Sequence, residues 1–216
     1  MSQKKLFGGL GILCLVFMFT VLTVGGAFAQ PKIIKLKVAN FFPPPSKQSK
    51  ILEQFSKDLE WRSGGRIKVQ YFAGGSLLKA PAIYKGVVSG IADIGYAHVY
   101  YTSGRMPVSE GAGLPLGLPS GWVGAHVAYD FYKKFTPKEW DQVKVLSIHC
   151  NAPSMVISKK PVNKLEDLKG LSIRAPGVPG DIVKALGGTP SPTPMMEVYD
   201  SLAKGVNDGV WAPYET

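Results

Sequence analysis

Lys35-Leu36-Lys37-Val38-Ala39-Asn40-Phe41-Phe42-Pro43-Pro44-Pro45 decides the fold class. Its first six residues alternate polar and apolar side chains, the period of a half-buried strand. Three consecutive prolines then lack the N–H groups that a ladder needs, so the strand must stop. Ser46 caps a helix in which Ile51, Leu52, Phe55 and Leu59 recur at helical spacing as far as Trp61, and Ser63-Gly64-Gly65 ends it. A second strand is predicted over Ile67 to Phe72, a helix from about Pro81 to Ser89, and a third strand over Ile91 to Tyr96. This β-α-β-α-β order implies parallel pairing with right-handed crossovers. Ligands of such sheets bind beyond the carboxyl ends of the strands. Here those ends carry Asn40 to Pro45, Ala73 to Ser76 and Tyr96 to Tyr101, aromatic- and glycine-rich loops that suit a cleft. A place in the buried core explains any single one of Phe41, Phe42, Tyr96, Tyr100 and Tyr101 equally well.

Beyond this unit, glycine and proline punctuate Gly104 to Trp122, and a helix follows to about Phe135. Gln142 to His149 is predicted as a strand crossing towards a second lobe. Further strands are expected at Ser154 to Ser158 and Leu171 to Ala175, with a turn of helix at Leu165 to Leu168. Gly180 to Leu186 and Met196 to Lys204 read as helices, and the prolines of Thr189 to Pro194 make that segment extended. There is no internal repeat and no low-complexity linker.

The amino terminus gives the compartment. Lys4 and Lys5 precede an apolar run from Leu6 to Val24, and Ala27-Phe28-Ala29 then stands before Gln30. A basic start, an apolar stretch and an A-x-A site form a secretory signal peptide, predicted over residues 1–29 and cleaved there to leave the protein in the periplasm. A retained membrane anchor is the competing reading, but Gly8, Gly9, Gly11, Thr20 and Thr23 dilute the run. Of the two cysteines, Cys14 leaves with this leader, so Cys150 remains alone and no disulfide framework is possible. The formal charge of +10 drops by the two leader lysines. No run of five or more basic residues occurs among the rest, which argues against a nucleic-acid partner. A positive field instead raises the encounter rate with an anionic solute.

Arg174 is the residue that stands out chemically. The other arginines, Arg62, Arg66 and Arg105, occupy polar or turn contexts, whereas Arg174 lies in Leu171-Ser172-Ile173-Arg174-Ala175-Pro176. A guanidinium in an apolar strand needs an anion or several acceptors. Glu197 or Asp208 would make it structural; a ligand carboxylate held through two parallel hydrogen bonds would make it functional. The pattern leaves both open.

Catalytic, metal-binding and cofactor signals are thin. His98, His126 and His149 lack metal-ligand spacing. His149 stands beside Cys150, but strand neighbours point to opposite faces, so a structural histidine with satisfied hydrogen bonds is the simpler reading. Ser76-Leu77-Leu78-Lys79 matches the S-x-x-K of penicillin-recognising serine enzymes, without the S-D-N or K-T-G that should follow. No catalytic residue, metal site or cofactor is expected.

Several segments, in order, resemble the substrate-binding subunit of tripartite ATP-independent periplasmic (TRAP) transporters. They are Gly65-Arg66-Ile67-Lys68-Val69 with Phe72-Ala73-Gly74-Gly75-Ser76-Leu77, and Gly90-Ile91-Ala92-Asp93-Ile94-Gly95. Next come Pro161-Val162, Leu165-Glu166-Asp167-Leu168-Lys169-Gly170-Leu171-Ser172-Ile173-Arg174-Ala175-Pro176 and Leu186-Gly187-Gly188-Thr189-Pro190. The last are Glu197-Val198-Tyr199 and Gly205-Val206-Asn207-Asp208-Gly209. The resemblance implies a two-lobed α/β binding-protein fold that closes on a small organic acid and passes it to membrane permease subunits. It also implies that Arg174 binds the ligand carboxylate and that Trp211 forms an aromatic wall. Topology adds Asn151, Tyr96 and His98 as further ligand-binding candidates.

The expected division is a first lobe over 30–148, a partial second lobe over 149–212, and the start of a return crossing at 213–216. Members of the family recross to the first lobe near Pro213, so the second lobe and the return are expected to be incomplete. Unpaired sheet edges and exposed apolar faces should then weaken a chain standing alone. Two other functions fit parts of the pattern: an extracytoplasmic sensing domain of the same fold, and a serine hydrolase built on Ser76 and Lys79.

Overall fold

The computed structural model describes residues 32–102 and 104–214; the signal peptide expected over 1–29 lies outside them. No helix among the described residues is long and apolar enough to cross a membrane.

Strand β1 (Ile34–Asn40) is the centre of a parallel sheet, with β2 (Ile67–Phe72) on one side and β3 (Ile94–Tyr96) on the other. Ile34 stands opposite Ile67, Ala39 opposite Phe72 and Val38 opposite Ile94. Flanking on both sides buries Val38, Ala39 and Asn40 at the carboxyl end of β1. The third strand is shorter than the sequence suggests. Asp93 closes the ladder with its side chain: Oδ2 accepts from Lys37 N at 2.7 Å, and Asp93 N donates to Lys37 O at 2.9 Å. Residues 91–93 therefore stand outside the strand.

Helix α1 (Lys47–Arg62) begins where expected, with Ser46 Oγ accepting from Ser49 N at 3.2 Å. Its buried residues are Ser49 and Ser56, whereas Ile51 is 67% exposed and Phe55 is also exposed. A polar network explains the choice. Asn40 Nδ2 donates to Ser49 Oγ at 2.7 Å and to Tyr71 Oη at 2.9 Å, while Asn40 Oδ1 accepts from Phe42 N at 3.0 Å. Ser49 Oγ donates onward to Phe42 O at 2.9 Å. Every polar atom of the buried amide is thus paired, where an unpaired one costs about 1–3 kcal/mol. The network turns the chain out of β1 and fixes the direction of Phe41 and Phe42.

Helix α2 (Ile83–Val88) joins β2 to β3. A short helix, α3 (Pro107–Glu110), leads to α4 (Gly121–Phe135), which Ser120 caps by accepting from Val123 N at 3.2 Å. Residues 142–149 differ from expectation. They carry strand-like alternation but form no strand, because no neighbour among the described residues pairs with them in a ladder. Alternation fits a pleated surface only when there is a surface to join.

The second sheet contains β4 (Met155–Ser158), β5 (Ser172–Arg174), β6 (Thr189–Ser191) and β7 (Gly209–Ala212) in the order β4-β7-β5-β6. β5 runs parallel to both β6 and β7, and β4 runs antiparallel to β7. Helices α5 (Val178–Ala185) and α6 (Val198–Ala203) connect them. Leu171, Ile173, Ala175 and Val183 form one core cluster of this sheet, and Val198, Val210 and Ala212 form another.

Candidate ligand site

Arg174 is the last residue of β5, paired with Val210 on β7 and Ser191 on β6. It is only 2% exposed. Its Nε donates to Thr193 O and its Nη2 to Tyr101 Oη, each at 2.9 Å. Thr193 is itself held in place. Its Oγ1 shares a hydrogen bond with Ser191 Oγ at 2.8 Å and accepts from Asn207 Nδ2 at 3.0 Å. Asn207, fully buried, also donates to Ser201 Oγ at 2.9 Å and accepts from Ser172 Oγ at 3.0 Å. A chain of paired polar groups thus runs from Asn207 through Thr193 to the guanidinium and restricts its orientation.

Neither carboxylate considered from sequence neutralises Arg174. Asp208 Oδ2 accepts from Ser172 N at 2.9 Å, and Glu197 is exposed on the surface. The ion pairs among the described residues are Lys57–Glu53 at 2.7 Å and Lys68–Glu60 at 3.5 Å, both remote from this site in sequence. Among the described residues no carboxylate lies within 4 Å of Arg174.

Aromatic rings gather around it. The loop after β3 supplies Tyr96, His98, Tyr100 and Tyr101. His98 stacks on Tyr100 with centroids 4.9 Å apart and lies 6.1 Å from Tyr101 and 5.4 Å from Phe41. His149, distant in sequence, stacks on Tyr96 at 4.8 Å and approaches His98 to 5.2 Å. Burial lowers the His98 imidazole to a pKa of about 3, helped by the nearby His149 and Arg174. Burial also pushes His149 down and raises the Tyr96, Tyr100 and Tyr101 phenols. These groups are uncharged at neutral pH, so Arg174 is the charge in a low-polarity setting.

Two close approaches hold the loops. Gly177, at φ +64°, opens the way into α5, and a Cβ there would meet Tyr100 O at 2.7 Å. At the start of α4, a Cβ on Gly121 would meet Cys150 O at 2.6 Å, so glycine lets the helix rest on the Cys150-Asn151 backbone beside His149.

Among the sequence candidates, Arg174, Tyr96 and His98 come together. Asn151 follows His149 and Cys150 but makes no side-chain hydrogen bond with a described residue. Trp211 packs against the Leu171, Ile173, Ala175 and Val183 cluster and makes no ring contact with the group around His98. Tyr100, Tyr101, Asn207 and His149 were not selected from sequence as site residues. The satisfied hydrogen bonds expected of His149 are not found among the described residues, where its buried Nε2 has no partner. Tyr100 and Tyr101 lie in the loop after β3, which the sequence reads as cleft-forming, and that position is the available signal. Ser76 and Lys79 are both exposed in the turn after β2, with no hydrogen bond between them.

Known proteins place this geometry in a family. Residues 38–216 match the family described as bacterial extracellular solute-binding protein, family 7. A solute-binding protein of Roseobacter denitrificans is 26% identical over 216 residues, covering 95% of this chain and 64% of the relative. A TRAP periplasmic solute-binding protein from Desulfovibrio salexigens, solved as an open complex, is 38% identical with a TM-score of 0.67, over 83% of this chain and 56% of that one. A marine metagenome TRAP protein specific for aromatic acid ligands, solved with 3-hydroxybenzoate, is 30% identical with a TM-score of 0.79, over 85% and 59%. The chain therefore spans a little over half to just under two-thirds of the length of these relatives. It belongs to family 7 of the bacterial extracellular solute-binding proteins, the TRAP solute-binding proteins.

Proposed function

We propose that this chain belongs to a periplasmic protein, exported through residues 1–29, that captures a small organic acid and delivers it to TRAP permease subunits. Residues 30–148 and 149–212 contribute its two lobes, and Arg174 holds the ligand carboxylate. One observation carries the reading: a buried guanidinium with two neutral acceptors and no carboxylate of a described residue within 4 Å. An isolated buried charge is strongly disfavoured, and an incoming carboxylate supplies both the opposite charge and bidentate acceptors. Thr193 and Tyr101 occupy Nε and Nη2, while Nη1 makes no hydrogen bond to a described residue. The rings beside it favour a ligand with aromatic bulk, which buries apolar area and stacks. The relative that binds 3-hydroxybenzoate supports the same preference.

Thermal-shift measurements on the full-length protein with benzoate and benzamide test the proposal. These ligands share a ring and differ in charge. Benzoate should raise the melting temperature and benzamide should leave it unchanged. Equal stabilisation by the neutral amide would reject an anion-binding function for Arg174.

A further inference from the structure

We propose that His149 is a second recognition point of the site, where Nε2 hydrogen-bonds a ring hydroxyl while Arg174 holds the carboxylate. The protein then selects hydroxylated aromatic acids over the unsubstituted ring. This rests on the carboxylate reading above and adds a second contact to it.

The Nε2 atom is the starting point. It is buried and has no hydrogen-bond partner among the described residues. Buried polar atoms are nearly always paired, and an exception calls for a reason. The ring's position supplies one. It stacks on Tyr96 at an interplanar angle of 20° and lies 5.2 Å from His98. His98 continues to Tyr101 at 6.1 Å, and Tyr101 Oη reaches Arg174. One run of rings thus connects the unpaired nitrogen to the cation. The segment behind His149 is braced, since Gly121 and Gly124 bring α4 against Cys150 and the Asn151 backbone.

The chemistry narrows the ligand class. Burial keeps His149 neutral, so its ring carries one N–H and one lone pair. A phenol hydroxyl both donates and accepts, and it satisfies Nε2 in either tautomer. A second carboxylate would place a negative charge against a neutral ring without compensation. A bare ring would leave the nitrogen unpaired, and sites built to bond a hydroxyl discriminate against ligands lacking one.

Calorimetry on the full-length protein with benzoate, its 3- and 4-hydroxy derivatives and pyruvate tests this. In the wild type, at least one hydroxybenzoate should bind about tenfold more tightly than benzoate, the effect of one neutral hydrogen bond. His149→Phe keeps a ring against Tyr96 but removes the nitrogen. It should abolish the preference by lowering hydroxybenzoate affinity about tenfold, with far-ultraviolet circular dichroism verifying the fold. No preference in the wild type, a preference that survives in His149→Phe, or equal weakening of all aromatic acids would overturn the proposal. Binding of pyruvate alone would reject the His149 role and leave the carboxylate reading intact. Binding of no acid would remove both.

Discussion

Tyr101 Oη accepts a hydrogen bond from Arg174 Nη2 at 2.9 Å, linking the loop after β3 to the end of β5 between residues 73 positions apart. This contact joins the aromatic loop of the first sheet to the cation of the second. It leaves Arg174 charged, because a neutral phenol satisfies one donor without contributing negative charge. With Thr193 O on Nε, it restrains the guanidinium plane and so pre-organises a carboxylate site.

Tyr101→Phe removes this restraint and keeps the ring packing. The expected outcome is an affinity for organic acids lowered about threefold to tenfold, the range of one hydrogen bond. Calorimetry should show the loss, with a melting temperature close to that of the wild type in the absence of ligand.

His98 makes stability depend on pH. In the unfolded chain it takes up a proton below about pH 6.5, whereas in the folded protein it stays neutral down to about 3. The unfolded state therefore binds more protons in that window, and stability falls as the pH drops through it. Urea unfolding of His98→Asn should show a shallower fall between about pH 6.5 and pH 4 than the wild type. Parallel curves would remove His98 from the explanation. Organic-acid affinity should stay flat between about pH 7 and pH 8, because burial lowers both clustered histidines below their ordinary range and keeps them neutral there.

Gly177 carries two constraints at once, a positive φ and a backbone oxygen in the path of any Cβ. Gly177→Ala should destabilise the protein by on the order of 1–3 kcal/mol in urea titrations. Because the clash falls on Tyr100 O, acid affinity should fall as well. A stable variant with unchanged affinity would show that the loop and α5 shift freely.

The first sheet was legible because β1 and β2 alternate and are ended by proline and glycine, signals that need no partner. Arg174 was legible for a similar local reason, as a charge inside an apolar strand. Residues 142–149 misled because their alternation had no neighbouring strand to pair with. The four-residue β7 was too short to show a period, and its place in the sheet comes from pairing with β4 and β5. Tyr101 and His149 become site residues only through contacts with Arg174 and Tyr96, which depend on the folded chain. Asn207 lay within a segment used for the family resemblance, but its action on Thr193 appears only in the hydrogen-bond network.

The carboxylate role of Arg174 is tested most directly by isothermal calorimetry of Arg174→Ala in the full-length protein, using the acid that binds the wild type most tightly. A loss of at least about a hundredfold in affinity is expected, the effect of removing a charged, buried hydrogen-bonding partner, with the far-ultraviolet circular dichroism unchanged. Wild-type affinity in a folded Arg174→Ala protein would contradict it.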